Sequence, residues 1–245
     1  MARAKRTTSN LPVNIKEQLA AEAADIGSKI AAPSGDRISL SNSGTIRTPD
    51  GGEGNEIEVV VIDFIASNMF YPGAYDRDNP QPPSCFALGR EPSLLTPSKN
   101  ADPAEATTCS VCPNNQFGSA LVGAGKACKN TRLLAVVDIS SDDPEIWVLA
   151  VSPTALKKFD GYVRNLANKH TTVPVAVLTR IALDPTADFA SPSFDIERLL
   201  EDDELEKAFG LRDAAMERLM TEPDTSNKTP TKPAAKKRAT RKPRR

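Results

Sequence analysis

The stretch EIEVVVIDFIA, Glu56 to Ala66, decides the fold class. Its β-branched run from Val59 to Ile62 is typical of a strand that is buried on both faces. A glycine-rich turn at Asp50 to Gly54 precedes it, and an earlier strand lies in DRISLSNSGTIR. The sequence therefore predicts a β protein in this part of the chain.

Further short strands follow, with one well-marked helix before the last of them. The predicted strands are SCFALGR, TRLLAVVDI, EIWVLAVS and VPVAVLTRIAL. The helix is SPTALKKFDGYVRNLANKH, with Ser152 as N-cap and Pro153 at its first position. A parallel α/β sheet would need a helix between nearly every pair of strands, so this order favours a small closed or partly open β-barrel of five to six strands.

The ends of the chain differ from this core. Apolar spacing from Ile15 to Ile26 predicts a short N-terminal helix, and FDIERLLEDDELEKAFGLRDAAMERLM predicts one or two acidic amphipathic helices. We therefore divide the chain into an N-terminal extension (1–33), a β core (34–196), an acidic helical segment (197–223) and a tail (224–245).

Charge is distributed unevenly. The tail carries nine Lys or Arg and one Asp, a net +8, so residues 1–223 carry −9 of the overall −1. The tail has no aromatic side chain and no aliphatic one larger than alanine, so we expect it to be disordered. Such a basic segment is either a solubilising extension or an attractor of nucleic-acid phosphates.

No run approaches 18 apolar residues, and no apolar segment follows the basic residues of MARAKRTTSN. We expect a soluble cytoplasmic protein that has no membrane partner. Four cysteines in a chain with no secretory signal are expected to be reduced thiols.

The cysteines stand in the pattern C-x23-C-x2-C-x15-C. A C-x-x-C pair supplies two thiolates at adjacent corners of a tetrahedron, and two distant cysteines can close it, so we expect one structural zinc ion per chain. A redox pair and four unliganded thiols remain as alternatives. The proposed ligands are Cys85, Cys109, Cys112 and Cys128.

The sequence contains no pattern that indicates catalysis. A P-loop fails twice, because Ala120 occupies the place of the first glycine and Ala127 follows Lys126. The only histidine, His170, follows a helix, and Asp63 lies alone in an apolar strand. The carboxylates of LLEDDELE point in different directions on a helix, which favours a solvated face. We therefore expect a protein that is not an enzyme.

Aromatic residues are concentrated before and within the cysteine region. Phe70, Tyr71 and Tyr75 lie in NMFYPGAYDRDNPQPP, whose Pro, Gly and Asp content indicates an exposed loop, whereas Phe64 and Phe86 are expected in the core. Exposed rings can stack on the bases of single-stranded nucleic acid, with phosphates held by nearby basic residues; covering the open end of the barrel is the alternative. The predicted contacts are Phe70, Tyr71, Tyr75, Arg77, Arg90, Phe117, Lys126, Lys129 and Arg132.

Four segments together resemble a known family. They are DFIASNMFYPGAYDRDNPQPPSCFALG, CSVCPNNQFGSALVGAGKACKNTRLLAV, SPTALKKFDGYVRNL and VPVAVLTRIAL. This set, with C-P-x-N-x-F-G-S followed by G-K-x-C-K-N as its distinctive part, resembles bacteriophage single-stranded DNA-binding, helix-destabilising proteins.

The resemblance implies an OB-fold whose zinc-bearing insertion spans about residues 85–128, with Cys85, Cys109, Cys112 and Cys128 as the zinc ligands. It also implies cooperative coating of single-stranded DNA in phage replication and recombination, in the host cytoplasm, with replication or recombination proteins as further partners. The basic tail departs from the acidic, partner-recruiting tail of many such proteins; the acidic helix at 197–206 could take that role. From another class, a zinc-stabilised scaffold that binds duplex DNA through its tail is the alternative.

Overall fold

One long strand organises the computed structural model, which describes residues 36–73, 81–102 and 104–225. This strand, β4, spans 15 residues and pairs antiparallel with β5, β6 and β8. The strands are β1 (Arg37–Leu40), β2 (Ile46–Arg47), β3 (Glu53–Gly54), β4 (Glu56–Phe70), β5 (Cys85–Gly89), β6 (Cys128–Val137), β7 (Trp147–Val151), β8 (Val177–Ala182) and β9 (Ser193–Leu199). The helices are α1 (Leu156–Lys169), α2 (Asp202–Gly210) and α3 (Arg212–Leu219), with 3₁₀ turns at Pro92–Leu94, Pro113–Asn115 and Pro174–Ala176.

The strands form one curled, half-barrel sheet in the order β3-β2-β1-β7-β6-β4-β8-β9, with β5 added beside β4. All pairings are antiparallel except that of β1 with β7. A register shift between Val61 and Asp63 bends β4 where it passes from β8 toward β5. The prediction of a mainly β protein with a few helices is therefore confirmed.

Loop contacts connect the two ends of the curl. In the turn between β1 and β2, Gly44 has a φ of 78° and lies directly against Pro185, which follows β8. A Cβ built on Gly44 would stand 2.4 Å from the Pro185 Cα, so no larger residue fits there. Close by, the Ala190 amide donates to the Asn42 side-chain oxygen at 3.1 Å.

One face of the sheet packs on α1. Phe159 of α1 is fully buried and meets Phe64 and Phe194 edge to face, with ring centroids 5.1 and 5.2 Å apart. Beside them the Tyr162 hydroxyl lies 2.6 Å from the Thr179 hydroxyl, which pairs two buried polar groups. The prediction that Phe64 and Phe86 are core residues is confirmed, since Phe86 is buried and Phe64 packs against this cluster.

The opposite face of β4 and β6 packs under the C-terminal helices. Ile62, Ile65 and Val137 contribute to this second cluster from the sheet, and Ala215 and Leu219 contribute from α3. α2 begins with a capping box between Glu201 and Glu204. None of the helices in the described ranges has the length and apolarity needed to cross a membrane.

Three local predictions were wrong. Residues 194–199 form strand β9 rather than a helix, because Phe194 and Ile196 alternate with Asp195 and Glu197 at the period of a strand. Ser152 is not the N-cap of α1, and Pro153 is not its first residue, because the helix begins at Leu156 with Ala155 as N-cap. The Ser152 hydroxyl lies 2.9 Å from the Thr154 hydroxyl instead.

The third concerns Phe70, which ends β4 instead of lying in an exposed loop. The strand continues past the apolar run because β5 and β6 pair with it on both sides as far as that residue. The predicted N-terminal helix, Tyr75, Arg77 and residues 226–245 of the tail lie outside the described residues.

Candidate metal centre and nucleic-acid surface

The end of β4 brings two cysteines to the same row of the sheet. Phe70 pairs with Cys85, the first residue of β5, on one side and with Cys128, the first residue of β6, on the other. Adjacent strands lie about 4.8 Å apart, so the Cα atoms of Cys85 and Cys128 are about 10 Å from one another, and residues in one row share a face of the sheet.

The other two cysteines come from a loop fixed by main-chain hydrogen bonds. The Cys109 amide donates to the Leu95 carbonyl at 2.9 Å. The Asn115 side chain donates to the Cys109 carbonyl at 2.7 Å, while the Asn115 amide donates to the Cys112 carbonyl at 3.0 Å. Pro113 opens the 3₁₀ turn that makes this geometry possible.

All four cysteines line a single cavity of about 70 Å³, together with Phe70 and Asn68. They are free thiols, and those of Cys109 and Cys128 are buried. As they stand, no three His, Cys, Asp or Glu side chains within the described ranges are arranged to hold a metal ion. The fold thus brings the predicted ligands to one cavity without closing them into a coordination shell.

Burial controls the ionisation of these thiols. It raises the pKa of Cys128 to about 12 and also raises the pKa values of Cys85 and Cys109. A hydrogen bond from the Asn68 side chain opposes the rise at Cys109. These three thiols are therefore protonated at neutral pH unless a cation is bound beside them.

Polar side chains hold the rest of the loop. Lys126 donates to the Asn115 side-chain oxygen at 3.2 Å, and the Ser119 hydroxyl accepts from the Ala127 amide at 2.9 Å. Gly118, with a φ of 84°, donates from its amide to the Gly125 carbonyl at 3.0 Å. The distinctive residues of the two sequence motifs thus bond to one another across the loop.

The tip of this loop exposes large apolar side chains. Phe117 is 84% exposed, and the Lys126 ammonium lies 5.2 Å from its ring centroid. Val111, Leu121 and Val122 are exposed on the same loop. A flat ring beside a positive charge offers one surface for a base and one for a phosphate.

Tyr71 lies just beyond β4 and is 41% exposed. Its hydroxyl donates to the Met69 sulfur at 3.6 Å, and Met69 pairs across the sheet with exposed Lys129. Partial burial raises the pKa of Tyr71, and the positive charge of Arg37 opposes the rise. Arg37 is not among the predicted contacts, because it precedes Tyr71 by 34 residues and no local pattern links the two.

Two predicted phosphate contacts are paired with carboxylates. Arg90 lies 3.8 Å from Asp63, which also lies 3.9 Å from Arg212. Arg132 is mostly buried and lies 3.9 Å from Asp160 of α1. Of the other predicted basic contacts, Lys126 lies over the exposed Phe117 ring and Lys129 is exposed on β6.

No protein-family model, no curated protein and no solved structure matches this chain.

Proposed function

We propose that the protein binds single-stranded DNA, without catalysis, and that one structural zinc ion holds its cysteine loop. The observation that carries this proposal is the convergence of four cysteines on one cavity beneath a loop whose tip exposes Phe117 beside Lys126. Bases would stack on the exposed rings while lysines hold the phosphates. This role fits coating of the DNA strand during phage replication and recombination.

The strand order supports an OB-fold. Five strands follow one another as β7-β6-β4-β8-β9, and α1 joins β7 to β8 across one end. An OB-fold is a five-stranded, partly open barrel that binds oligonucleotides over its second and third strands and through its first and fourth loops. If β4 is the first strand, those strands are β6 and β7. The connection from β4 to β6 then carries Cys85, Cys109 and Cys112, and it ends at Cys128, the first residue of β6.

The cysteines have the chemistry that zinc requires. Four thiolates form a closed tetrahedral site with no open position, which makes the ion structural. Cys85, Cys109, Cys112 and Cys128 would hold it, and the ion would replace the apolar core that the loop between β5 and β6 lacks.

Binding titrations test the function directly. We expect an oligonucleotide of single-stranded DNA to bind more tightly than a duplex of the same length, because only unpaired bases expose their faces for stacking. Equal affinity for the two forms would contradict the proposal.

The zinc site is tested with a single substitution. We expect Cys112→Ser to lower both the zinc content, measured by elemental analysis, and the melting temperature. Ser110→Ala, an exposed position of the same loop, is the control and should change neither. A wild-type protein that folds stably with no metal would rule out the zinc ion.

The basic tail favours a second candidate function, that of a zinc-stabilised scaffold which binds duplex DNA without sequence preference. The tail has a net charge of +8, whereas residues 1–223 have a net charge of −9. Removing residues 224–245 should lower duplex affinity and its salt dependence in either case. If the protein is a single-strand binder, the protein without residues 224–245 should still prefer unpaired DNA. If it is a scaffold, no such preference is expected.

A further inference from the structure

A groove that is separate from the cysteine cavity lies between α1 and the β8–β9 pair. Its volume is about 1010 Å³, and it opens to solvent. Arg180 of β8 lines it and pairs with Glu58 near the start of β4. From there to Phe70, at the cysteine end, β4 runs about 40 Å at roughly 3.3 Å per residue. The groove therefore belongs to a different part of the molecule.

The groove concentrates positive charge on an acidic body. Four of its lining residues are lysines or arginines, and one is an aspartate. The positive residues are Lys158, Arg164, Lys169 and Arg180, and the negative one is Asp195. His170 also lines the groove, and Glu197 lies 3.8 Å from Arg180. The groove thus has more positive than negative side chains, whereas residues 1–223 as a whole carry a net negative charge.

Two buried polar atoms of the lining residues have no hydrogen-bond partner within the described residues. They are the Asn165 Oδ1 acceptor and the Arg180 Nε donor, and the latter lies 3.8 Å from the Glu197 carboxylate, beyond hydrogen-bond distance. A buried group left unsatisfied is costly, and such groups are rare in native proteins. A nucleotide strand offers both kinds of partner, since its phosphate oxygens accept hydrogen bonds and its base amino groups donate them.

We infer that this groove binds the phosphate backbone of the DNA strand as a second contact, separate from the cysteine end. The aromatic residues that line it, Tyr162 and Phe194, are buried, so the groove provides charge and hydrogen bonds rather than stacking. The inference rests on the proposed function, and it explains how a body with a net negative charge can hold a polyanion. Neutralising groove residues should weaken binding only for strands long enough to reach it.

The experiment compares Arg164→Ala/Lys169→Ala with the wild type on two oligothymidylates. One has about 6 nucleotides, within the roughly 4 to 16 nucleotides of an OB-fold site, and the other has about 30, well beyond it. Both residues are exposed, and the hydrogen bond that Arg164 Nε makes within the described residues goes to a main-chain carbonyl of its own helix, so circular dichroism should be unchanged. Lys157→Ala is the control, since Lys157 is exposed on the same helix but does not line the groove.

For the long strand, we expect the double variant to reduce the slope of log affinity against log salt by about 1.4, at roughly 0.7 for each lost phosphate contact. The short strand should bind both proteins equally, and Lys157→Ala should match the wild type on both. If the wild type binds single strands but the double variant keeps its slope, the groove inference fails alone. If the wild type does not bind single strands, the proposed function fails with it.

If the groove binds a protein segment instead of DNA, a different experimental result is expected. The acidic start of α2 in a second copy, with exposed Asp202 and Asp203, also complements the groove in charge. Sedimentation without DNA distinguishes the two. Self-association of the wild type that the double variant loses would overturn the DNA inference in favour of a protein contact.

Discussion

Replacing Phe117 with alanine separates a stacking surface from a structural residue. The ring is 84% exposed, so folding buries about a sixth of its surface, or about 30 Å² of the roughly 200 Å² of a phenylalanine. At about 25 cal/mol/Å², that burial contributes about 0.8 kcal/mol to the free energy of unfolding. The contact with the Lys126 ammonium adds about 0.5 to 1 kcal/mol. We therefore expect a loss of stability below about 2 kcal/mol.

The expected effect on DNA binding is larger. A base stacked on an aromatic ring contributes about 1 to 3 kcal/mol, so Phe117→Ala should weaken single-strand affinity about 5- to 150-fold. The matched control is Phe209→Ala in α2. Phe209 is 47% exposed, and Arg212 stands 5.3 Å from its ring centroid, so it repeats the pairing of an exposed ring with a cation away from the cysteine loop.

Fluorescence anisotropy with a labelled oligothymidylate measures affinity, and thermal unfolding measures stability. We expect Phe117→Ala to lose affinity with little change in melting temperature, while Phe209→Ala keeps its affinity. Equal affinities of both variants and the wild type would refute the stacking argument. A large fall in the melting temperature of Phe117→Ala would show instead that the ring supports the loop.

Two further predictions concern stability. Tyr162→Phe should lower the free energy of unfolding by about 1 to 3 kcal/mol in chemical denaturation, because it leaves the fully buried Thr179 hydroxyl without its partner. The double variant Tyr162→Phe/Thr179→Val removes both hydroxyls and should recover much of this stability. If it does not, the hydroxyl pair is not the cause of the loss. Glu204→Ala should destabilise the protein at neutral pH, because the Arg198 hydrogen bond lowers the folded-state pKa of Glu204 to about 2 from an ordinary value of 4.5. That stabilisation is present above pH 4.5 and lost as the pH falls through about 2, so the difference from the wild type should shrink over this range; a difference independent of pH would contradict it.

Local patterns predicted the elements whose signal lies within one segment. The apolar run of β4 and the helical spacing of α1 are of this kind, and both elements formed. The end of β4 was placed too early because Ser67 and Asn68 are polar, yet pairing on both sides buries them. For β9, the acidic helical pattern that follows concealed a short alternation at the period of a strand.

The candidate site, too, could be predicted only in part from local sequence patterns. Cysteine spacing indicated that distant residues meet, and the fold brings the four cysteines to one cavity. The neighbourhood of Tyr71 and Arg37, and the pairing of Arg90 with Asp63, depend on contacts between distant segments. No local propensity encodes such contacts, because each requires the whole sheet to be in place.

The parallel pairing of β1 with β7 affects the order of events during synthesis. Arg37 pairs with Val148, so the partner of β1 leaves the ribosome about 110 residues later. At roughly 5 to 20 residues per second, that delay is about 5 to 20 s. During it, Ile38 and Ile46, which are buried in the finished core, belong only to the β1–β2 hairpin and the two residues of β3 that extend it. This small unit has no core to pack against, so it is at best marginally stable in water. Nascent chains halted before residue 147 should therefore expose this hairpin to chaperones and proteases, whereas chains extended past residue 151 should protect it.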